Sequence, residues 1–153
     1  PVLRSHLVEM EWPLESPPTK SALEEFTKSS DELRRLWAQK MLRRLDRGER
    51  LTSVAPIIAH GVQIGRGVRL IGIEGELVAD LGRLIIEFYR GGVTVPMGYT
   101  DGAQLYLPST PMIDEHGYEV DSYHEYWVSS GLAAGFEGIL AGALKRFAVG
   151  GVR

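Results

Sequence analysis

Residues 51–73 hold two apolar runs separated by the triplet Gly65-Arg66-Gly67, and this arrangement restricts the possible folds more than any other stretch of the sequence. Both runs are rich in valine and isoleucine, which favour a pleated, buried backbone. The glycines supply the backbone freedom that a tight connection needs. The pattern predicts a hairpin of two buried strands. Because a strand follows the triplet, it does not match a phosphate-binding loop, which must open a helix.

The segment before the hairpin predicts one strand and two helices. Val2–Trp12 alternates loosely between apolar and polar residues, which is typical of a half-buried strand, and it ends at Pro13. Thr19 and Ser30 precede acidic residues, as residues at the start of a helix do. We therefore expect a helix after Thr19 and a second one over residues 31–46.

The second of these helices, residues 31–46, is predicted to be amphipathic and basic. Its apolar residues Leu33, Trp37, Met41 and Leu45 fall on one face, and basic residues surround the other. Such a helix suits an anionic membrane surface or an acidic partner, so a peripheral membrane contact is one prediction. An ordinary solvated face with local counter-charges is the other interpretation, and it is the commoner case.

The second half of the sequence predicts a helix, a strand, a loop-rich stretch and a final helix. Apolar residues from Leu77 to Phe88 recur at helical spacing, and Val93–Met97 is typical of a short strand. Residues 98–126 are expected to be mostly turn and loop. The final helix is predicted over Ser129–Phe147, where its glycines would allow close backbone approach to a sheet.

The composition is that of an ordinary globular domain, with 44% hydrophobic and 24% charged residues in a chain of 153. We expect residues 1–153 to form a single unit of the α/β class, with a mixed sheet and packed helices. A net charge of −3 argues against a nucleic-acid partner, because phosphate binding needs a basic surface. The chain lacks cysteine, which leaves His, Asp, Glu and Tyr as metal ligands.

The N-terminus shows no basic segment followed by an apolar core and a cleavage site, the pattern of a secretory signal. The expected location is the cytoplasm, unless a preceding segment directs the product to the periplasm or outside the cell.

Four short motifs follow one another along the chain: Leu70-Ile71-Gly72-Ile73-Glu74-Gly75-Glu76, Gly98-Tyr99-Thr100-Asp101-Gly102, Tyr106-Leu107-Pro108 and Gly117-Tyr118-Glu119. In order and spacing they resemble the neutral/alkaline non-lysosomal ceramidase family. The resemblance extends from about Val8 to Phe147 and implies the C-terminal portion of a larger ceramidase-like α/β catalytic domain. It implies a zinc-dependent amidohydrolase, in which a metal-activated water cleaves the N-acyl amide bond of ceramide or a related amphiphile.

The same resemblance implies the residues of the site. Glu76, in the Glu-Gly-Glu turn, and Tyr118, in the Gly-Tyr-Glu motif, are the expected zinc ligands. Zinc accepts oxygen ligands, and a catalytic site keeps one position open for water. Tyr99 or Tyr123 is expected to donate a hydrogen bond to the developing oxyanion. Glu74 and Asp101 depart from the family, which usually has proline and asparagine there, and both add negative charge.

The family also binds its metal through two histidines from an earlier part of the domain. The four histidines of this chain are not in matching motifs; they are His6, His60, His116 and His124. We therefore expect a preceding polypeptide to supply both ligands. One alternative is a non-catalytic partner subunit that retains the fold. Another is an N-terminal-proline tautomerase, suggested by the opening Pro1-Val2-Leu3.

Overall fold

The computed structural model describes residues 2–103 and 105–153, which form a mixed sheet packed against helices. The strands are β1 (Leu3–Pro13), β2 (Val54–Ile64), β3 (Val68–Ile73), β4 (Glu76–Leu77), β5 (Val93–Met97) and β6 (Tyr106–Leu107). The helices are α1 (Lys20–Phe26), α2 (Glu32–Asp46), α3 (Ala79–Phe88), α4 (Thr110–Glu115), α5 (Tyr118–Asp121) and α6 (Phe136–Val149). A 3-10 helix follows α5 over Ser122–Tyr126. The tautomerase alternative depends on Pro1, which lies outside the described residues, so it stays a prediction.

The main sheet has four strands in the order β1-β2-β3-β5. The first three pair antiparallel, which confirms the hairpin predicted around Gly65-Arg66-Gly67. The fourth strand, β5, runs parallel to β3, and α3 forms the crossover between them. The short strands β4 and β6 pair in parallel as a separate two-stranded sheet. The prediction of an α/β fold with a mixed sheet is therefore confirmed.

Alternate residues of each strand point to opposite faces, and α3 and α6 cover one face of the main sheet. Trp12 of β1 stacks on Phe136 of α6, with ring centroids 3.8 Å apart. At the other end of α6, the ring of Phe147 lies against Gly61 of β2, where an added Cβ would be 3.1 Å from the ring. The core lies between this sheet face and the two helices.

Helices α1 and α2 form a smaller second cluster beside the sheet. Leu23, Trp37 and Met41 are buried there, and the indole N–H of Trp37 donates to the carbonyl of Val128 at 2.6 Å. The apolar face of α2 is thus packed within the protein, although Leu33 on the predicted face stays exposed. A peripheral membrane contact stays a prediction that would have to use the basic face.

The N-cap of α1 is the residue that the sequence predicts, whereas the N-cap of α2 is not. Thr19 caps α1 by accepting a hydrogen bond from Ala22 N–H. Asp31, rather than Ser30, caps α2, because its carboxylate accepts from the N–H groups of two first-turn residues.

The region 106–126 differs from its prediction as a loop-rich stretch. It contains β6, α4, α5 and the 3-10 helix, elements too short to leave a periodic pattern in the sequence. Similarly, α3 begins at Ala79 rather than at Leu77, because Glu76 and Leu77 pair with β6.

The final helix begins at Phe136, not at Ser129, and it packs against the sheet as predicted. Its glycines do not mediate close backbone contact, because a Cβ added at Gly138 or Gly142 would meet no atom within 4 Å. Gly135 instead forms the N-cap in a left-handed conformation. Among the described residues, no helix is both long enough and apolar enough to cross a bilayer.

Candidate functional site

The candidate site lies where the parallel strands β3 and β5 end side by side. The residues after β3 carry Glu74 and Glu76, and the turn Gly98–Gly102 follows β5. Tyr99 N–H donates to the carbonyl of Gly75 at 2.7 Å, which holds the two segments together. The carboxyl ends of parallel strands are the usual place for ligand sites in open α/β sheets.

The backbone at these strand ends adopts conformations that side chains rarely favour. Gly75 has φ +93°, and a Cβ there would lie 2.6 Å from the carbonyl oxygen of Leu105, so only glycine fits. Tyr99 and Asp101 also have positive φ, at 57° and 64°. Strained backbone of this kind concentrates at functional sites, which makes this edge of the sheet the first place to look for chemistry.

Glu76 is the centre of the site's hydrogen bonds. The hydroxyl of Tyr99 donates to its carboxylate, and this bond raises the pKa of Tyr99 to about 12. A hydrogen bond to Glu76 is likewise the main cause that holds the pKa of Tyr106 well above its usual range. Tyr106 is the register partner of Glu76 in the small parallel sheet. The carboxylate therefore has neutral phenols beside it at pH 7.

Tyr118 approaches the same group from a different part of the chain. Its hydroxyl donates to Glu125 at 3.2 Å, and its ring lies edge-on to Tyr106 with centroids 5.6 Å apart. The negative charge of Glu125 is the main cause that raises the pKa of Tyr118, and Glu76 adds to it. The two predicted metal ligands, Glu76 and Tyr118, are thus linked through Tyr106, which neighbours both, while the hydroxyl of Tyr118 bonds to Glu125.

A cleft of about 330 Å³ opens beside Glu76. Its wall is more apolar than polar, with Leu77 and Met112 among its lining residues, and three carboxylates also line it, those of Glu76, Asp80 and Glu119. Asp80 is already paired with Arg83 and Ser109, which lower its pKa. The side of the cleft that Glu76 and Glu119 line carries negative charge and suits a cationic ligand.

Comparison of the chain with family models, curated proteins and solved structures finds no match. The resemblance to the ceramidase family accordingly stays a prediction made from four motifs.

The two predicted catalytic tyrosines, Tyr99 and Tyr123, lie in different parts of the fold. Tyr99 is 58% exposed and bonded to Glu76, whereas Tyr123 packs edge-on against Trp37 in the second cluster. Burial is the main cause that raises the pKa of Tyr123, and its charged neighbours are Arg34, Asp121 and Glu15. Tyr99 therefore bonds to the predicted ligand Glu76, whereas Tyr123 packs in the second cluster.

Glu74, which the sequence also marked, is a structural residue of the strand end. It is 5% exposed, and its carboxylate accepts a hydrogen bond from Ile58 N–H at 3.0 Å. A Cβ at Gly102 would lie 2.4 Å from the same carboxylate, so the turn packs directly on Glu74. The side chain ties β2 to the turn that carries Tyr99.

The histidines lie against other residues. His124 contacts Asp31 at 3.0 Å, and His116 contacts Asp121 at 3.4 Å. His60 lies 3.9 Å from Asp101, and His6 meets the ring of Phe147. Within residues 2–103 and 105–153, no group of three or more His, Cys, Asp or Glu side chains could hold a metal ion.

Sequence reasoning did not select Tyr106 or Glu125 as site residues, although Tyr106 lies beside Glu76 and Glu125 accepts a hydrogen bond from Tyr118. Tyr106 opens the third family motif, but only the pairing of β4 with β6 places it beside Glu76. Glu125 lies in a polar segment with many carboxylates, and nothing in its spacing distinguishes it from its neighbours. Only the tertiary structure could identify either residue.

Proposed function

We propose that this chain forms half of the catalytic site of a zinc-dependent amidohydrolase that resembles neutral ceramidase. Its substrate would be the N-acyl amide of ceramide or a related amphiphile. Glu76 and Tyr118 would be the ligands from this chain, and a preceding polypeptide would supply two histidines. The supporting observation is that the ring of Tyr118 packs edge-on against Tyr106, the register partner of Glu76, although the two predicted ligands come from separate motifs.

Glu76 and Tyr118 carry the types of ligand atom that zinc accepts, and together they would supply part of its ligand set. A carboxylate and a phenol oxygen are acceptable zinc ligands, and the acidic cleft beside them favours a cation. Both Tyr99 and Tyr118 are 58% exposed, so another polypeptide has room to approach them.

When bound, zinc supplies Lewis acidity toward a water molecule and the amide carbonyl. The protein groups around it have separate tasks. Tyr118 would bind zinc through its phenol oxygen, and its hydrogen bond to Glu125 orients that oxygen. Tyr99 keeps its own proton and donates a hydrogen bond to Glu76, which fixes the orientation of the carboxylate.

Tyr99 is also the better candidate to stabilise an oxyanion. With a pKa of about 12 it stays protonated at neutral pH. Its one hydroxyl hydrogen is bonded to Glu76 in this structure, so it would have to turn away from Glu76 to donate to an oxyanion. Tyr123 lies in the cluster with Trp37, so in this structure it is not placed for that role.

The test is metal analysis of the assembled protein. The chain is co-expressed with the polypeptide encoded immediately before Pro1, and zinc content and hydrolysis of a fluorogenic N-acyl sphingoid amide are measured. Glu76→Gln and Tyr118→Phe should each reduce bound zinc and lower hydrolysis by at least about 100-fold, since metal ligands are lost. Glu87→Gln, on the exposed side of α3, and Tyr89→Phe, remote from Glu76, are matched controls that should leave both unchanged.

Zinc and hydrolysis that persist in both ligand variants would show that the site is assigned to the wrong residues. An assembly that binds no zinc would contradict the proposed function altogether. That second result would favour the alternative of a non-catalytic partner subunit that retains the fold.

A further inference from the structure

Two adjoining clefts lie where the last turn of α6 meets β1. One has a volume of about 320 Å³ and is lined by His6, Lys145, Arg146, Val149 and Gly150. The other has a volume of about 220 Å³ and is lined by Arg4, Val149, Gly150, Gly151 and Arg153. Among the described residues, every ionisable side chain that lines either cleft is basic. We call the two clefts together the basic cleft.

The basic cleft is remote from Glu76. Strand pairing places Arg4 in one row with Gln63 and Arg69, near the start of β3, whereas Glu76 follows the end of that strand. A site at the basic cleft is therefore separate from the proposed zinc site and does not depend on the proposed function.

Two glycines allow side chains of the sheet to lie directly on the end of α6. A Cβ added at Gly150 would be 2.7 Å from the ring of His6, and one added at Gly151 would be 2.8 Å from Cδ of Arg4. Gly151 also has φ +96°, a conformation that L side chains rarely adopt. Arg4 and His6 of β1 therefore converge with the basic last turn of α6.

Positive charge in the last turn of a helix is ordinary, because it offsets the negative end of the helix dipole. That effect accounts for Lys145 and Arg146, but not for Arg4 and His6, which belong to another element. The carbonyls of the turn are also bonded, since the backbone N–H groups of residues 150–152 donate to them. The end of the helix thus has hydrogen-bond partners of its own, and the converging cations suit an anionic ligand.

Neutral groups, not carboxylates, hold two arginines of the basic cleft. Arg146 donates to the carbonyl of Glu9 at 3.2 Å, and Arg153 donates to the carbonyl of Ala148 at 3.1 Å. Within residues 2–103 and 105–153, the ion pairs leave out four cations of this cleft, Arg4, Lys145, Arg146 and Arg153. These charges are positioned but not neutralised, as an anion site requires.

A buried cation adds to the positive potential at this end of the sheet. Arg69 is 6% exposed, and its guanidinium donates to the carbonyl of Gly91 at 2.6 Å and to the hydroxyl of Thr94 at 3.2 Å. The same group lies over the ring of Tyr89, and no ion pair of the described chain includes it. Arg4 lies two strands away in the same row, about 10 Å across the sheet. An anion at the basic cleft would offset part of this buried charge.

We infer that the basic cleft binds an organic phosphate, a phosphate monoester that carries an apolar group. A guanidinium matches two oxygens of a phosphate, and a dianion offsets more of the converging positive charge than a carboxylate does. The phosphate lies over the smaller cleft, beside Arg4 and Arg153. The apolar group lies in the larger cleft, whose wall is mostly apolar, against the 84% exposed side chain of Val149. The larger cleft alone reaches the lower end of the range of roughly 300–1,000 Å³ that is typical of small-molecule sites.

The experiment is calorimetric titration of the chain with hexyl phosphate, and inorganic phosphate and hexanoate are the comparison ligands. Hexyl phosphate should bind at least tenfold more tightly than hexanoate, which carries a single charge. It should bind at least threefold more tightly than inorganic phosphate, which has no apolar group. Equal affinity for hexyl phosphate and either comparison ligand would overturn the inference.

Variants locate the two parts of the site. Arg4→Gln and Arg153→Gln should each weaken the binding of hexyl phosphate at least tenfold, because each removes a charged partner. Arg43→Gln is the matched control, since Arg43 is also exposed in the last turn of a helix, and it should change the Kd less than twofold. Val149→Ser should weaken hexyl phosphate at least threefold and leave inorganic phosphate within twofold. Equal effects of Arg4→Gln and Arg43→Gln would contradict the assigned site.

A measurement on the unaltered protein keeps the test valid if a variant fails to fold. In NMR spectra of the labelled chain, the backbone amides of Gly150 and Gly151 should be among those that hexyl phosphate shifts most. Shifts centred on another part of the chain would overturn the inference.

Sedimentation with vesicles distinguishes a lipid headgroup from a soluble phosphate, since both present the same chemistry. Vesicles that contain phosphatidic acid are compared with vesicles of phosphatidylcholine alone. Sedimentation with the first, reversed by hexyl phosphate, would support the inference and identify a lipid as the source of the phosphate. Binding of hexyl phosphate without sedimentation would support it and identify a soluble ligand. Sedimentation without any binding of hexyl phosphate would overturn it, because a charged membrane surface would then account for the cations.

Discussion

The hydroxyl of Tyr99 donates a hydrogen bond to the carboxylate of Glu76, and this contact joins the segments that follow two parallel strands. Two backbone hydrogen bonds hold the same segments in place: Tyr99 N–H donates to the carbonyl of Gly75, and Gly75 N–H donates to the carbonyl of Gly102. The bond favours the neutral phenol, because an ionised tyrosine would place two negative charges together. The site therefore combines a carboxylate with a tyrosine that resists deprotonation.

Replacing the acceptor should change how Tyr99 titrates. In Glu76→Gln the carboxylate charge is lost, so we expect the pKa of Tyr99 to fall from about 12 toward the ordinary value near 10. NMR titration of tyrosine labelled at Cζ measures each ring separately. Tyr89, whose pKa burial raises to about 12, is the internal control and should not move. Unchanged titration of Tyr99 would contradict the assigned bond.

The same bond predicts how stability depends on alkaline pH. The folded state binds the Tyr99 proton more tightly than the unfolded chain does, so the bond stabilises the fold fully below about pH 10. That contribution is lost as the pH rises through about 12. Urea unfolding of the wild type and Tyr99→Phe should show a difference in stability at pH 8 that shrinks by pH 12. A difference that grows with pH would contradict this prediction.

Gly75 should tolerate no side chain. Gly75→Ala meets the Leu105 carbonyl at 2.6 Å and must adopt φ +93°, so we expect a loss of about 2–4 kcal/mol in unfolding free energy. Gly65→Ala is the matched control, because Gly65 also has positive φ but its Cβ would meet no atom within 4 Å. That control should cost only about 1 kcal/mol. If urea unfolding shows equal losses of unfolding free energy in Gly75→Ala and Gly65→Ala, the contact with Leu105 does not destabilise the first variant.

The stack of Trp12 on Phe136 should contribute strongly to stability. Both rings are almost completely buried, so Phe136→Ala leaves a cavity between β1 and α6 and should cost about 3–5 kcal/mol. Val149→Ala, in the last turn of the same helix, removes an 84% exposed side chain and should change stability by less than about 0.5 kcal/mol. Chemical denaturation monitored by tryptophan fluorescence compares the two. A small effect of Phe136→Ala would mean that α6 is not packed as described.

Asp31 should link the second helix to acid stability. Partial desolvation raises the pKa of Asp31, but hydrogen bonds from Arg34 N–H, His124 and Leu33 N–H outweigh it, and the net shift is downward. The carboxylate therefore stabilises the fold above its unfolded pKa near 4, and this contribution is lost as the pH falls through the lower folded value. Asp31→Ala should therefore have a lower thermal midpoint than the wild type at pH 7. The difference between the two midpoints should be smaller at pH 3.

Asp31→Asn separates the two roles of this side chain. Asparagine caps a helix about as well as aspartate but carries no charge, so this variant should keep most of the stability at pH 7. Its midpoint should also depend less on pH between 3 and 5 than that of the wild type. Equal pH dependence in both proteins would assign the acid sensitivity to other carboxylates.

Local patterns in the sequence predicted most of the regular elements. The hairpin of β2 and β3, the strand β5 and the cap at Thr19 follow from side-chain periodicity and turn chemistry, which act over a few residues. The short elements between Tyr106 and Tyr126 were missed, because two to six residues show no measurable period. The glycines of α6 were misinterpreted, since their spacing does not reveal what lies opposite them.

The sequence by itself determined that this is an α/β chain, and its motifs selected Glu76, Tyr99 and Tyr118 as site residues. Only the tertiary structure decided that Tyr99 bonds to Glu76, that Tyr106 lies beside Glu76, that Glu125 accepts a hydrogen bond from Tyr118, and that Tyr123 packs elsewhere. Only the structure, too, showed which face of the sheet the helices leave open. Alternation along a strand tells which residues share a face, but long-range packing decides which face is covered and which distant side chains meet.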